Sequence, residues 1–162
     1  MITFGILTIS DRSSRGERDD LSGPVLSNAV HDAGWEVDRT GIVADDIESI
    51  KSTLIEWSGS GIDVILTTGG TGFSGRDITP EATLAVIERN APGIAEAMRE
   101  ESMKITPHGM LSRAVSGIRG TCLIINLPGS PKGAVENFEV VMPVLQHAID
   151  LLRNDPGSEV GH

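Results

Sequence analysis

This 162-residue chain has one cysteine, four histidines and a shortage of basic side chains, and each scarcity excludes something. A single cysteine, Cys122, leaves no intramolecular disulfide and no cysteine-rich zinc site. It lies in the apolar run TCLIINLP and reads as a buried strand residue rather than a nucleophile. The histidines are scattered: His31 and His147 fall on helix patterns, His108 between Pro107 and Gly109, and His162 in the tail. None has metal-ligand spacing, and no Ser/His/Asp hydrolase constellation is readable. Thirteen Lys and Arg against 23 Asp and Glu give a net charge of −10, which argues against a general nucleic-acid binder. A polyanionic ligand would then need a cation or focused donors to offset repulsion. The opening MITFGILTIS has no basic region and is too short to span a bilayer, so a soluble, cytoplasmic protein without a membrane partner is expected. Repeats, low-complexity blocks and linkers are missing from residues 1–153, which predicts a single domain there and a disordered polar tail over 154–162.

What is present alternates. ITFGILTIS (2–10), WEVDRTGIVA (35–44), IDVILTT (62–68) and TCLIINLPG read as strands, short and rich in β-branched residues. DRSSRGERDD reads as a loop. Helices are predicted over LSGPVLSNAVHDAGW with Gly34 as stop, and along the Ile47, Ile50, Leu54, Trp57 stripe. Others follow from Thr79 as cap and Pro80 as first residue to about Asn90, over IAEAMREESMK, and from about Lys132 to Arg153. Residues 105–120 are mixed. Near-continuous apolar strands separated by helices imply a parallel sheet covered on both faces. Ligands of such sheets bind beyond the carboxyl ends of the strands. VADD (43–46), TTGGTGFSGRD (67–77) and NLPGSP (126–131) fall there and are expected to converge.

The second of these loops holds Gly69, Gly70, Gly72 and Gly75 within seven positions. Glycines allow positive φ and close approach of backbone N–H groups, and a run of such groups binds anions, more so before a helix N-terminus. The alternative is a tight turn without a ligand. GTGFSG matches G-x-G-x-x-G, but the helix begins after the motif and Glu88 lies within it, against a dinucleotide fingerprint. A P-loop needs Lys then Ser or Thr, and here Arg76 and Asp77 stand instead. Arg76 offers a phosphate contact; Asp77 makes sense beside a polyanion through a metal. Asp77 and Asp45 are placed to share magnesium. Both have plain alternatives: Asp77 as partner of Arg76, Asp45 as a helix cap. For Asp46 the cap is favoured. NLPGSP is either a ligand loop or a proline turn, and Ser112 and Arg113 are either ligand contacts or a helix end.

With TISDRSSRGERDDLSGP, TTGGTGFSGRDITPEAT, LSRAVSGIRG and LIINLPGSPKGAVENF together, residues 3–150 resemble the MogA/MoaB family of molybdenum-cofactor biosynthesis, including the G domains of gephyrin and of the plant molybdenum-insertion protein. The resemblance implies a three-layer α/β/α sandwich with a mostly parallel central sheet, assembled as a homotrimer. It implies a molybdopterin adenylyltransferase, in which AMP passes from Mg-ATP to the terminal phosphate of molybdopterin and pyrophosphate leaves. A downstream molybdenum-insertion protein is an implied partner. By position, the essential aspartates match Asp45 and Asp77, as catalytic residues and as Mg2+ ligands. The substrate-binding positions match Ser10, Asp11, Gly69, Gly70, Thr71, Gly72, Ser112, Pro128 and Gly129. VADD departs from the Val-Pro-Asp-Glu frequent in relatives. A non-catalytic pterin-binding or scaffold protein of the MoaB type is one rival, and a hydrolase on a CinA-like domain another.

Overall fold

In the computed structural model, which describes residues 1–154, one six-stranded sheet carries every helix. The polar tail, His162 included, lies outside the described residues apart from Asn154. The chain runs β1 (Thr3–Ile9), α1 (Asp11–Ser14), α2 (Ser22–Asp32), β2 (Glu36–Val43), α3 (Ile47–Ser58), β3 (Val64–Thr68), α4 (Thr79–Val86), β4 (Arg89–Asn90), α5 (Pro92–Ile105), a 3₁₀ turn (Pro107–Leu111), β5 (Ser116–Arg119), β6 (Cys122–Leu127) and α6 (Pro131–Leu152). The strand order is β2-β1-β3-β6-β5-β4. The β2, β1, β3 and β6 strands are parallel, while β5 pairs antiparallel with β6 and β4 antiparallel with β5.

The period-two alternation of side chains divides the core. Phe4, Ile6, Val64, Leu66, Leu123 and Ile125 face α2, α5 and α6, in one apolar layer with Leu26, Met98 and Phe138. Leu7, Ile9, Ile65, Cys122 and Ile124 face α3 and α4, in a second layer with Ile50, Leu54, Trp57 and Ala82. Both faces of the central strands are therefore buried, which is why β3 and β6 read as near-continuous apolar runs, interrupted only by Thr67, Thr68 and Asn126. Trp57 lies so close over Gly5 that a Cβ there would meet the indole at 2.7 Å. Among the described residues no helix is long and apolar enough to cross a membrane.

Several expectations need correction. The segment after β1 begins with one helical turn, α1, because the Ser10 hydroxyl accepts from the Ser13 N–H at 3.2 Å and caps it. Thr79 does not cap α4. It is already helical, Ile78 holds the cap position, and the Thr79 hydroxyl donates to the Gly69 carbonyl at 2.9 Å. The α4 helix stops at Val86 rather than near Asn90, since Glu88 and Ala91 give their N–H groups to the Ile118 and Ser116 carbonyls. That pairing makes β4, and Pro92 keeps Ala91 out of the helical region.

Candidate active site

The carboxyl ends of β1, β2, β3 and β6 meet around a cavity of about 330 Å³, lined by Ser10, Asp45, Gly69, Gly70, Asp77 and Gly129 among others. The three loops expected to converge do so. A fourth wall comes from residues 18–22, between α1 and the start of α2. The cavity lies between the ends of β1 and β3, where the chain leaves the sheet in opposite directions, and open parallel sheets form their crevice at that point. The N-termini of α2, 11 residues long, and α6, 22 residues long, both open onto it through Ser22 and Pro131. Two helix ends bring partial positive charge to a space whose lining is otherwise rich in carboxylates.

Only Gly69 (φ 107°) and Gly70 (φ 68°) of the four loop glycines take positive φ. A Cβ on Gly69 would overlap the Ile9 carbonyl oxygen. One on Gly70 would meet Thr79 Oγ1, a steric overlap, and lie 3.2 Å from Asp45 Oδ1. Gly72 and Gly75 depart from the expectation. At Gly72 the need is space, since a Cβ would sit 2.9 Å from Asp77 Oδ2, and around Gly75 the space is open. The Gly69 N–H is also spent, donating to the Leu127 carbonyl at 3.2 Å. Among the described residues the N–H groups of 70–72 have no protein acceptor. They are the donors this loop can offer an anion.

Arg113 fixes the loop, a role the sequence did not disclose. Its N–H donates to the Thr71 carbonyl at 2.8 Å, its Nε to the Gly72 carbonyl at 2.7 Å and its Nη2 to the Asp77 carbonyl at 2.6 Å. Its Nη1 meets the Glu81 carboxylate at 2.8 and 3.0 Å. Asp77 closes its own turn: Oδ2 accepts from the Ser74 N–H at 3.0 Å. Its other oxygen has no donor among the described residues. Arg76 is not its partner. That guanidinium reaches Asp11 Oδ2 through Nε at 2.9 Å and Nη2 at 2.7 Å, and touches the Asp45 carbonyl at 3.2 Å.

Asp45 and Asp11 are bound reciprocally, each side chain accepting from the other's backbone N–H at 3.0 Å. Asp46, not Asp45, caps α3, accepting from the Ser49 N–H at 2.9 Å. The same bonds, with the Ser49 hydroxyl first, lower its pKa. Burial pushes the Asp45 carboxyl above its ordinary value; the Asp11 N–H opposes this, and the charges of Asp11 and Asp77 push it further up. Asp11 is held low, chiefly by Arg76. With both oxygens engaged, Asp11 braces Asp45, while Ser10 lines the cavity directly.

The turn after β6 is held from both sides. Thr68 donates its hydroxyl to the Pro128 carbonyl at 2.6 Å, and Ser22 donates its own to the Gly129 carbonyl at 2.7 Å. A Cβ on Gly129 would stand 3.3 Å from Gly69 Cα, so the two loops touch backbone to backbone. Beyond this junction lies a second cavity of about 390 Å³, lined by Thr71, Gly72, Ser112, Pro128, Lys132 and Asn137 among others. Gly69 and Gly70 thus face one cavity, Thr71 and Gly72 the other, and Ser130 lines both.

A divalent cation fits the first cavity. Asp45 Oδ1 and one oxygen of Asp77 carry no protein donor among the described residues, and both residues line the same space. Burial is the main cause of the raised Asp45 pKa, and the neighbouring charges of Asp11 and Asp77 add to it; a cation beside the carboxylate would oppose both. Among the described residues no group of three or more His, Cys, Asp or Glu side chains could enclose a metal ion. A pair of carboxylates is what magnesium takes when phosphates and water complete its shell.

The family described as "Probable molybdopterin binding domain" matches residues 5–147. The chain is 42% identical over 154 residues to the molybdopterin adenylyltransferase of Helicobacter pylori strain J99, covering 93% of this chain and 88% of that protein. It is 43% identical over 166 residues to gephyrin of Dictyostelium discoideum, covering 96% of this chain but spanning only 23% of gephyrin's length. The crystal structure of the molybdopterin biosynthesis enzyme MoaB of Thermus thermophilus superposes with a TM-score of 0.90 at 46% identity, over 96% of this chain and 99% of that one.

Proposed function

The chain belongs to the MogA/MoaB family of molybdopterin-binding domains, and from that premise we propose that it is a molybdopterin adenylyltransferase, moving AMP from ATP to the terminal phosphate of molybdopterin. The observation that carries this reading is the glycine loop standing as a partition: residues 69–70 face the polar cavity and residues 71–72 the second one. Two phosphorylated substrates, one on each side, would bring their reacting groups together along it.

In this reading ATP occupies the first cavity and molybdopterin the second, near Ser112 and the Pro128–Gly129 turn. The free N–H groups of 70–72 and the N-termini of α2 and α6 receive phosphate oxygens. An oxygen of the pterin phosphate attacks the α-phosphorus of ATP. The bond from that phosphorus to the α,β-bridging oxygen breaks, and pyrophosphate leaves with the electron pair. The nucleophile is ionised at neutral pH, so no general base is required. Positioning and charge neutralisation supply the catalysis. Asp45 and Asp77 would hold Mg2+, which when bound offsets the repulsion between the phosphates and the charge on the leaving group. Asp11 and Arg76 keep Asp45 in place, and Arg113 keeps Asp77 in place.

The test is pyrophosphate release from ATP with and without molybdopterin, with and without magnesium. Release that needs both supports the transferase. Pterin binding without release would mean a non-catalytic MoaB-type protein, and release without pterin a hydrolase. The same resemblance supports a homotrimer, for which light scattering should return the mass of three chains.

A further inference from the structure

The sequence offered Arg76 as the phosphate-binding cation of the glycine loop, and the structure gives that guanidinium to Asp11 instead. The lost cation leaves a charge problem. Asp19, Asp20, Asp45 and Asp77 all line the first cavity, and Arg18 is the one cationic side chain lining it among the described residues. An ATP tail entering this space meets carboxylates on two walls. A metal on Asp45 and Asp77 answers the charge on one wall, and the wall formed by residues 18–22 remains.

That wall is anchored. Asp20 accepts from the Thr8 hydroxyl at 2.8 Å and from the Gly23 N–H at 3.1 Å, tying the loop to the end of β1 and the start of α2. Arg18 extends from the residues just before this anchor. Its neighbours show how cations of this chain are ordinarily consumed: Arg15 by Glu17, Arg76 by Asp11, Arg113 by Glu81. Arg18 has no ion pair among the described residues, although acidic residues flank it at 17 and 19. An unpaired guanidinium at a cavity rim, with five donors in a planar fork, suits phosphate oxygens.

We infer that Arg18 binds the β- and γ-phosphates of ATP and accompanies the departing pyrophosphate; this rests on the adenylyltransferase reading. The glycine loop and helix ends serve the reacting α-phosphate, and Arg18 serves the tail that leaves. AMP, which lacks that tail, should not depend on it.

Titration calorimetry with ATP, inorganic pyrophosphate and AMP, in the presence of magnesium, tests this on the full chain and on Arg18→Gln and Arg18→Lys. We expect Arg18→Gln to weaken pyrophosphate and ATP about 10-fold, within the range of a charge-assisted hydrogen bond, and to leave AMP within about twofold. Arg18→Lys should recover part of the loss, because the charge returns without the fork. Equal pyrophosphate affinity in the parent protein and Arg18→Gln overturns the assignment while leaving the adenylyltransferase reading intact. Equal losses for AMP and pyrophosphate also overturn it, since they would mark a general disturbance of the wall. A parent protein that binds neither ATP nor pyrophosphate overturns both.

Discussion

Replacing Asp77 by asparagine separates the catalytic from the structural reading of this carboxylate. The structure sets the expected cost of folding. Asp77 Oδ2 accepts one backbone bond, from Ser74 at 3.0 Å, and Arg113 holds the Asp77 carbonyl rather than its side chain. Asparagine keeps an acceptor in that place and loses only the charge assistance. A bond to a charged group exceeds a neutral one by about 1 kcal/mol. The residue is half-buried, so the loss should be smaller, and the thermal midpoint should fall by no more than about 2–4 °C. Arg76 offers no further penalty, because it is bound to Asp11. The expected catalytic effect is larger. Without the negative charge the cavity loses half of its proposed cation-binding pair, and a fall of at least about 100-fold in turnover corresponds to about 2.7 kcal/mol of lost transition-state stabilisation. Molybdopterin binding should survive, since the second cavity does not include Asp77. Product formation, pterin affinity and thermal midpoint are to be measured on one preparation. Turnover within about threefold of the parent protein refutes the catalytic role, and a large fall in midpoint with turnover per folded molecule intact assigns Asp77 to structure.

Other substitutions reach the strained loop, its clasp and the buried thiol. Gly70→Ala must hold a side chain at φ 68° and displace the Thr79 hydroxyl from the Gly69 carbonyl; about 2–3 kcal/mol and a midpoint lower by roughly 5–10 °C are expected by calorimetry, and an unchanged midpoint would contradict the strained loop. Arg113→Ala should lower turnover at least about tenfold by freeing the Gly72 and Asp77 carbonyls, and Arg113→Lys should not restore it because an ammonium lacks the fork; full rescue by lysine in steady-state assays would reject the clasp. Cys122 is fully buried, and burial pushes its thiol from 9.0 to about 12, so native protein should resist alkylation at neutral pH at the rate set by unfolding. Because the folded pKa is raised, the stability linked to this thiol is complete below pH 9.0 and is lost as pH rises toward about 12. A rise of that size bounds the effect at about 4 kcal/mol, and Cys122→Ala should flatten the alkaline fall of the midpoint; identical slopes would contradict the burial effect.

Much of the architecture was legible because the central strands are buried on both faces. ILTTGG and LIINLPG announce themselves as apolar runs ending in glycine, and Ile50, Leu54 and Trp57 mark the buried side of α3. The β4 and β5 strands were not legible: two and four residues long, they owe their conformation to each other and to β6. Thr79 resembled a cap because caps are recognised by residue type, while its hydroxyl serves the carbonyl of a residue ten positions earlier. The same limit applies at the candidate site. The cap was favoured for Asp46 from the sequence and left open for Asp45, and the fold turns Asp45 into the cavity and Asp46 onto Ser49. Arg76 and Asp77 are adjacent in sequence yet point to different partners, and the clasp of Arg113 joins segments some forty residues apart. The wall of residues 18–22 was within reach, since it follows a parallel strand as the other three loops do.

The most direct measurement of the central claim follows the α-phosphorus. With ATP labelled at the α-position, molybdopterin and magnesium, adenylyl transfer predicts that label leaves ATP and appears covalently on the pterin, in equal amount with unlabelled pyrophosphate. Label that stays in ATP, or that appears as free AMP with no pterin adduct, would contradict it.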